Sequence, residues 1–331
     1  MHFIAIETSC DETSVALFRN NTIVSHYVYS QIEAHKKYCG VVPEIASREH
    51  SKKIYELISK LKIKKLDAVG FTKGPGLKGS LLVGKIAALT LSRYFKTKII
   101  GVNHLEGHLL STEIEGKRVI KKLKFPLIAL IVSGGHTELW YVKDYGVYSL
   151  IGKTRDDACG EAFDKVARIL GLGYPGGPKI EKIAEKSKFS NIKFTVPYIK
   201  NSFEYSFSGI KTQIAYYVKG LKSITVAQKS EIAAAFQKSV FESLINKLDE
   251  AVKKFGVCNI VVCGGVSVNS FLRERLMDRF GNTGINIFLP DKEYTSDNAA
   301  MIGVAVLRRL DKGKYKNNIQ IDSSLKISGW I

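Results

Sequence analysis

The 331-residue chain spells one arrangement of elements twice. Residues 3–8, Phe-Ile-Ala-Ile-Glu-Thr, predict a strand, 9–12 a polar turn, 13–18 a second strand, Asn20-Asn21 a tight turn and 22–29 a third strand. From Leu127 the pattern recurs: a buried strand over 127–133, a Gly134-Gly135 turn, a strand over 136–142, a turn near 144–146 and a strand over 147–150. A second pair of units also matches. A strand over 66–72 runs into Gly74-Pro75-Gly76 and a helix over 79–94; a strand over 259–263 runs into Gly264-Gly265 and a helix over 269–280. In the longest helical stretch Ile232, Phe236, Val240, Phe241, Leu244, Ile245, Leu248 and Val252 keep the three-to-four spacing of one buried face.

A three-stranded meander followed by strand–turn–helix units, present in duplicate, resembles the plan of the actin-like and sugar-kinase-like ATPases. The expected class is therefore α/β, a duplicated actin-like/sugar-kinase-like (ASKHA) ATPase fold of two lobes, with mixed sheets flanked by helices and a cleft between them. The chain exceeds the size at which a single core keeps growing. The expected division is 1–125 for lobe one, 126–297 for lobe two with an insertion, and 298–331 for a final helix and tail returning to lobe one. Connections are short and no Ser/Pro-rich linker occurs, which predicts lobes that pack together.

Composition excludes several classes. No apolar run approaches the roughly 18–20 residues that span a bilayer, and the opening Met-His-Phe-Ile-Ala-Ile-Glu lacks a basic stretch before an apolar one, so the expectation is a cytoplasmic protein that does not enter a membrane. Five cysteines (Cys10, Cys39, Cys159, Cys258, Cys263) form no CxxC pair and read as reduced thiols, mostly packed. The net charge of +19 invites a polyanionic partner, although much of it is scattered lysine. Local density is more informative, and it peaks at Lys60-Leu61-Lys62-Ile63-Lys64-Lys65 and over 117–124.

The candidate chemistry starts with Asn103-His104-Leu105-Glu106-Gly107-His108. Asn103 is a good helix N-cap, and Glu106 three residues on predicts a capping-box partner, so His104 and His108 share one face of a helix. Such a pair serves equally for packing or for a metal; Asp297, in Thr295-Ser296-Asp297-Asn298, is the expected third ligand, reaching across from the opposite lobe. The string is not the zinc-protease HExxH. There the glutamate directly follows the first histidine, about 100° round the helix, whereas Glu106 lies two residues on, about 200° away.

Phosphate-binding turns come next. Ile131-Val132-Ser133-Gly134-Gly135-His136-Thr137 ends a buried strand in two glycines whose N–H groups can converge on an anion. The repeat places Thr8-Ser9-Cys10-Asp11-Glu12-Thr13 as its counterpart, and Asp11 and Glu12 are either turn carboxylates or groups that meet a metal or a moving proton. Cys263-Gly264-Gly265-Val266-Ser267-Val268-Asn269 allows close approach of a nucleoside, with Asn269 at the helix start able to bond ribose or base. Asp164 falls at the edge of a helix's polar face, open to ribose hydroxyls or to an ion pair with Lys165 or Arg168. Tyr174-Pro175-Gly176-Gly177-Pro178 predicts a rigid turn where Gly177 permits contact. Metal and nucleotide are expected to meet in one cleft.

Together these strings, with Gly40-Val41-Val42-Pro43-Glu44-Ile45-Ala46-Ser47-Arg48 and Phe207-Ser208-Gly209-Ile210-Lys211-Thr212, resemble the tRNA threonylcarbamoyladenosine transferase family, the bacterial TsaD-like proteins and their archaeal and mitochondrial relatives, formerly described as O-sialoglycoprotein endopeptidases. The resemblance runs nearly end to end and is closer to the bacterial and organellar branch. Cys39, Cys159 and Val266-Ser267-Val268 depart from the usual pattern by small substitutions at packing positions.

The resemblance implies one Fe²⁺ or Zn²⁺ on His104, His108 and Asp297. It also implies an adenylate held by Ile131, Val132, Ser133, Gly134, Gly135, Asp164, Gly177 and Asn269. The implied reaction moves threonylcarbamoyl from threonylcarbamoyl-AMP to the exocyclic amine of adenosine 37 in tRNAs reading codons that begin with A, with Asp11 or Glu12 as the candidate catalytic carboxylate. Implied partners are tRNA, a separate synthase making the adenylate, and either a paralogous actin-like subunit with a small ATPase, using ATP and Mg²⁺, or a second copy in a homodimer. Two other readings remain at this stage: a small-molecule kinase of the same fold, and a non-enzymatic ATP-binding tRNA scaffold.

Overall fold

The computed structural model describes every residue except 39, 188–190, 315–318, 328 and 331, so Cys39 lies outside the described residues. The chain divides into two compact units, Met1–Leu123 with Asp144–Tyr148 and Pro290–Ile331, and Lys124–Lys143 with Ser149–Leu289.

The first unit is built on a seven-stranded sheet. Strands β1 (His2–Glu7), β2 (Glu12–Arg19) and β3 (Thr22–Ser30) form the antiparallel meander, and Asn20 supplies its tight turn at φ 54°. Beside β1 run β4 (Ala68–Gly74) and β5 (Lys98–Asn103), both parallel to their neighbour. A short hairpin, β6 (Ile114–Glu115) and β7 (Arg118–Val119), joins beyond β3 to give the order β5-β4-β1-β2-β3-β7-β6.

Apolar residues on β1 and β4 alternate between two helical layers. Ile4, Ile6, Val69 and Phe71 meet Ile54 and Leu57 of the helix Pro43–Lys60 and Ala88 of the helix Lys78–Tyr94. The opposite face takes the helix Ala299–Lys312, which is buried from Ala299 to Leu307. Glycines set how closely that helix approaches. A Cβ on Gly303 would lie 2.0 Å from the Phe18 ring, and one on Gly70 would lie 2.2 Å from Val306.

In the second unit β8 (Leu127–Val132), β9 (Thr137–Asp144), β10 (Val147–Lys153), β11 (Asn259–Cys263) and β12 (Asn286–Phe288) form a five-stranded sheet ordered β10-β9-β8-β11-β12. This is the order of β3-β2-β1-β4-β5, with β8 antiparallel to β9 and parallel to β11. The helix Val226–Phe255 opens with a Thr225/Gln228 capping box and ends at Gly256 in the left-handed region. Its apolar stripe packs on Ile128, Leu130, Val132 and Phe163.

Two expectations need correction. Residues 290–297 and 144–148 belong to the first unit, where side-chain hydrogen bonds tie them. Tyr294 donates to the Gly116 carbonyl at 2.7 Å, the Gly116 N–H donates to Asp291 at 3.0 Å, and Tyr148 donates to Glu106 at 2.6 Å. The rigid turn expected over 174–178 extends only to Pro175, because Gly176 begins the helix Gly176–Ala184. Buried Cys159 and Cys263 fit the packing expectation, whereas Cys258 is exposed.

Gly303→Ala is expected to cost roughly 1–3 kcal/mol by overpacking against Phe18, read as a lower midpoint of thermal or denaturant unfolding. Gly134→Ala, whose Cβ meets open space, is the near-neutral control.

Candidate functional site

Glu7 ends β1 with no exposed surface, and a buried carboxylate must find partners. It finds four. The Ser9 N–H donates to its Oε1 at 2.5 Å, Thr72 Oγ1 donates to Oε2 at 2.7 Å, and His104 Nδ1 lies 3.0 Å from Oε2 and 3.0 Å from Ser9 Oγ. A carboxylate only accepts, so Nδ1 of His104 carries a proton and its Nε2 is turned toward Asp297. There Asp297 Oδ1 sits 3.4 Å from His104 Nε2 and 3.0 Å from His108 Nε2.

Two helices bring these groups together. Asn103 caps the helix His104–Leu110 by accepting from the Leu105 and Glu106 N–H groups at 2.8 and 3.3 Å, which puts both imidazoles on one face with ring centroids 4.7 Å apart. Asp297 directly precedes Asn298, which caps the helix Ala299–Lys312 by accepting from Met301 N–H at 3.0 Å. The helices cross at Gly107, where a Cβ would lie 2.9 Å from Ile302. Asp297 therefore reaches the histidines from within the same unit, not from the opposite lobe.

Glu106 does not complete a capping box. Its Oε1 accepts from Tyr148 Oη at 2.6 Å and Trp330 Nε1 at 2.5 Å, while Oε2 takes Arg309 at 2.5 Å. A buried carboxylate is worth more to the helix when met by three donors than when folded back on its own N-terminus.

Donor atoms of His104, His108 and Asp297 lie within 4.8 Å of one another. Electrostatics favour a cation at their junction. Burial works against charge on His104, but Asp297 and Glu7 outweigh it and raise the imidazole well above its usual range. Burial would likewise raise Asp297, yet His104 and His108 hold it well below the ordinary carboxylate range. Nδ1 of His108 is buried without a hydrogen-bond partner among the described residues. Two imidazoles and one carboxylate suit Zn²⁺ or Fe²⁺, so the residues present fit such an ion.

The Asp11-Glu12 turn adjoins this cluster and is pinned by residues that spacing alone did not single out. His50, on the helix Pro43–Lys60, contacts the Cys10 carbonyl at 3.0 Å and Thr13 Oγ1 at 2.8 Å, and the Gln31 N–H donates to the Asp11 carbonyl at 3.0 Å. Burial, with Asp297 and Asp11 adding like charge, raises the Glu12 carboxyl well above its usual range. The same surroundings raise the Cys10 thiol and make it a poor nucleophile. Glu7, Ser9, Thr72 and His50 were the residues missed. A charged residue closing an otherwise apolar strand was the available signal for Glu7.

In the second unit Ile131 and Val132 are buried in β8, while Gly134 and Gly135 are exposed, with open space where each Cβ would stand. The turn is closed by the Ser133 N–H donating to the His136 carbonyl at 2.9 Å. Neighbouring glycines seat on it: Gly160 donates to the Ser133 carbonyl at 3.2 Å, and Gly264, at φ +92°, leaves no room for a Cβ against the Val132 carbonyl, 2.4 Å away. Asp164 is engaged within the protein, accepting from the Gly176 N–H at 2.6 Å beside the open Gly177. Lys165, one of the two cations considered as an alternative partner for Asp164, pairs with Asp157 and Glu161 at 2.6 and 2.8 Å. Asn269 is buried, its Oδ1 capping the helix Ser270–Phe280 and its Nδ2 donating to Gln237 at 2.9 Å.

Sheet order and duplication define an actin-like, sugar-kinase-like protein, and solved structures of that kind are similar at the level of fold. HypF from T. kodakarensis matches with a TM-score of 0.66 at 14% identity over 97% of this chain and 50% of that chain. An activator of 2-hydroxyisocaproyl-CoA dehydratase from Clostridium difficile, solved with ADPNP, matches with a TM-score of 0.52 at 15% identity over 96% and 99%. The sequence is more specific. Residues 22–304 match the family described as TsaD, tRNA N6-adenosine threonylcarbamoyltransferase. The protein of that name from Endomicrobium trichonymphae is 46% identical over 100% of this chain and 99% of its own length, and the one from Dictyoglomus turgidum 46% over 97% and 97%. The chain belongs to the tRNA N6-adenosine threonylcarbamoyltransferase family. Among the described residues no helix is long and apolar enough to cross a membrane.

Glu7→Gln removes the carboxylate that orients His104, and it is expected to weaken Zn²⁺ or Fe²⁺ retention about 10- to 100-fold. Metal content after dialysis against a competing chelator is the measurement; retention equal to wild type would show that Glu7 does not support the ligand.

Proposed function

We propose that the chain transfers the threonylcarbamoyl group of threonylcarbamoyl-AMP to the exocyclic amine of adenosine 37 in tRNAs reading codons that begin with A. Membership of the family supports this reading, and the observation that carries it is the convergence of His104, His108 and Asp297, with 189 positions separating the last two. A sugar or acetate kinase has no need of that histidine pair. A scaffold has no need of a buried carboxylate held ready beside it.

Threonylcarbamoyl-AMP is a mixed anhydride and already activated. The amine nitrogen bonds to the carbamoyl carbon, the bond from that carbon to the phosphate oxygen breaks, AMP departs, and the amine loses one proton. The protein's task is alignment and charge placement. His104, His108 and Asp297 would hold one Fe²⁺ or Zn²⁺, which supplies Lewis acidity and a template for the substrate. Glu7, Ser9 and Thr72 keep His104 turned toward it. In the second unit Gly134 and Gly135 would offer main-chain N–H groups to the phosphate, on a turn held in place by Ile131, Val132 and Ser133. Asp164 and Gly177 would receive the nucleoside, and Asn269 would fix the turn behind it.

Glu12 is the better candidate to take the amine proton, since a carboxylate of raised basicity is the stronger base. Asp11 orients it. Cytoplasmic location, a synthase that supplies the adenylate, and a paralogous actin-like subunit with a small ATPase or a second copy of the chain complete the reading.

The test is incubation of the full-length, metal-loaded chain, alone and with its partners, with threonylcarbamoyl-AMP and unmodified tRNA, followed by nucleoside mass analysis. Wild type is expected to yield threonylcarbamoyladenosine. Glu12→Gln is expected to lower turnover by about 10²- to 10⁴-fold while adenylate affinity is kept. Asp164→Ala should weaken adenylate binding and leave metal content unchanged. Near-wild-type turnover in both Glu12→Gln and Asp11→Asn would remove the carboxylates from the chemistry, and absence of product under every condition would remove the activity.

A further inference from the structure

The hairpin β6–β7 and the residues after it carry cations that the fold itself does not use. Lys117, Arg118 and Lys122 are exposed, and none of them forms an ion pair among the described residues. Elsewhere cations are commonly matched: Lys52, Lys53 and Lys60 on the helix Pro43–Lys60 each hold a glutamate. Arg19 enlarges the group. It pairs across β2 and β3 with Thr22, which in turn pairs with Arg118, so both guanidinium-bearing residues lie on one face two strands apart, roughly 10 Å. Nearby acids are mostly committed, Glu113 to Arg308 at 2.7 Å and Asp291 to Lys121 at 3.8 Å, which leaves Glu115 as the exposed acid of the hairpin.

Protection of a sheet edge is a common reason for such residues. It does not account for this placement, because the edge strand is β6, Ile114–Glu115, and the cations lie on β7 and beyond.

The hairpin is also held firmly to the metal-ligand segments. It follows the helix His104–Leu110 after the single turn Ser111–Glu113. Its tip, Gly116, is bonded to Asp291 and to Tyr294, three residues ahead of Asp297. That tether bounds the distance from tip to Asp297 at roughly 20 Å, about six steps along a stacked nucleic-acid strand.

We propose that Arg19, Lys117, Arg118 and Lys122 form a fixed cationic finger that grips the phosphate backbone of the substrate tRNA several nucleotides from the reacting adenosine. The inference rests on the proposed tRNA modification and adds to it the surface that receives the RNA. Contacts of this kind position the RNA and carry no sequence information.

The test is a titration of unmodified tRNA with the full-length, metal-loaded chain at a series of KCl concentrations. Lys117→Glu/Arg118→Glu is expected to bind about tenfold more weakly, or worse, and to flatten the salt dependence by roughly two units of log–log slope. Metal content and unfolding midpoint should stay at wild-type values. Lys62→Glu/Lys64→Glu, in the other basic cluster, is the control and should bind as wild type. The proposal is overturned if the finger variant keeps wild-type affinity and slope, if the control loses as much, or if the wild-type chain has no measurable affinity for tRNA. A wild-type chain that binds tRNA but transfers nothing would sink the proposed activity and leave the finger standing.

Discussion

A carboxylate with no access to water, at the end of the first strand, governs much of the first unit. Leaving Glu7 charged and unpaired would cost several kcal/mol, a large share of one domain's net stability. Ser9, Thr72 and His104 all turn toward it, and once His104 is committed at Nδ1 only Nε2 remains to face Asp297. Ligand orientation is thereby set by the sheet. The strand order brings the carboxyl ends of β1, β4 and β5 together, and each end contributes a residue to the cluster or to its support.

The second constraint is the crossing of two helices at a glycine. Gly107 lets the histidine helix lie against Met301 and Ile302, and Asn103 and Asn298 cap the two helices at their near ends. Glu106 secures the reverse face of the histidine helix through Arg309, Tyr148 and Trp330. The imidazoles are thus held from two sides by groups that do not ligate anything themselves. Removing one partner of such a buried ionic contact is costly because the other is left charged and alone.

Much of this was legible in the sequence because it rests on local patterns. The helices over 79–94 and 269–280 fall within a residue of those observed, since Gly, Asn and apolar spacing mark their ends. The strand over 66–72 was set two residues early, where Leu66 is buried but not yet paired in the sheet. What was illegible depends on distant partners. Glu106 satisfies the local rule for a capping box, and nothing within ten residues announces Arg309 or Trp330. The domain boundary went astray for the same reason, because Tyr294 and Tyr148 are anchored by single long-range hydrogen bonds. Asn269 and Asp164 were visible as polar residues in promising places, but their internal obligations to Gln237, Leu272 and Gly176 were not.

The 189 positions that part His108 from Asp297 also order events in time. At ribosomal speeds of about 5–20 residues per second, on the order of 10–40 s separates synthesis of the imidazoles from synthesis of the aspartate. For that interval the nascent chain holds Glu7 and His104 but lacks its last helix. An ion that required all three donors could therefore be captured only near the close of translation.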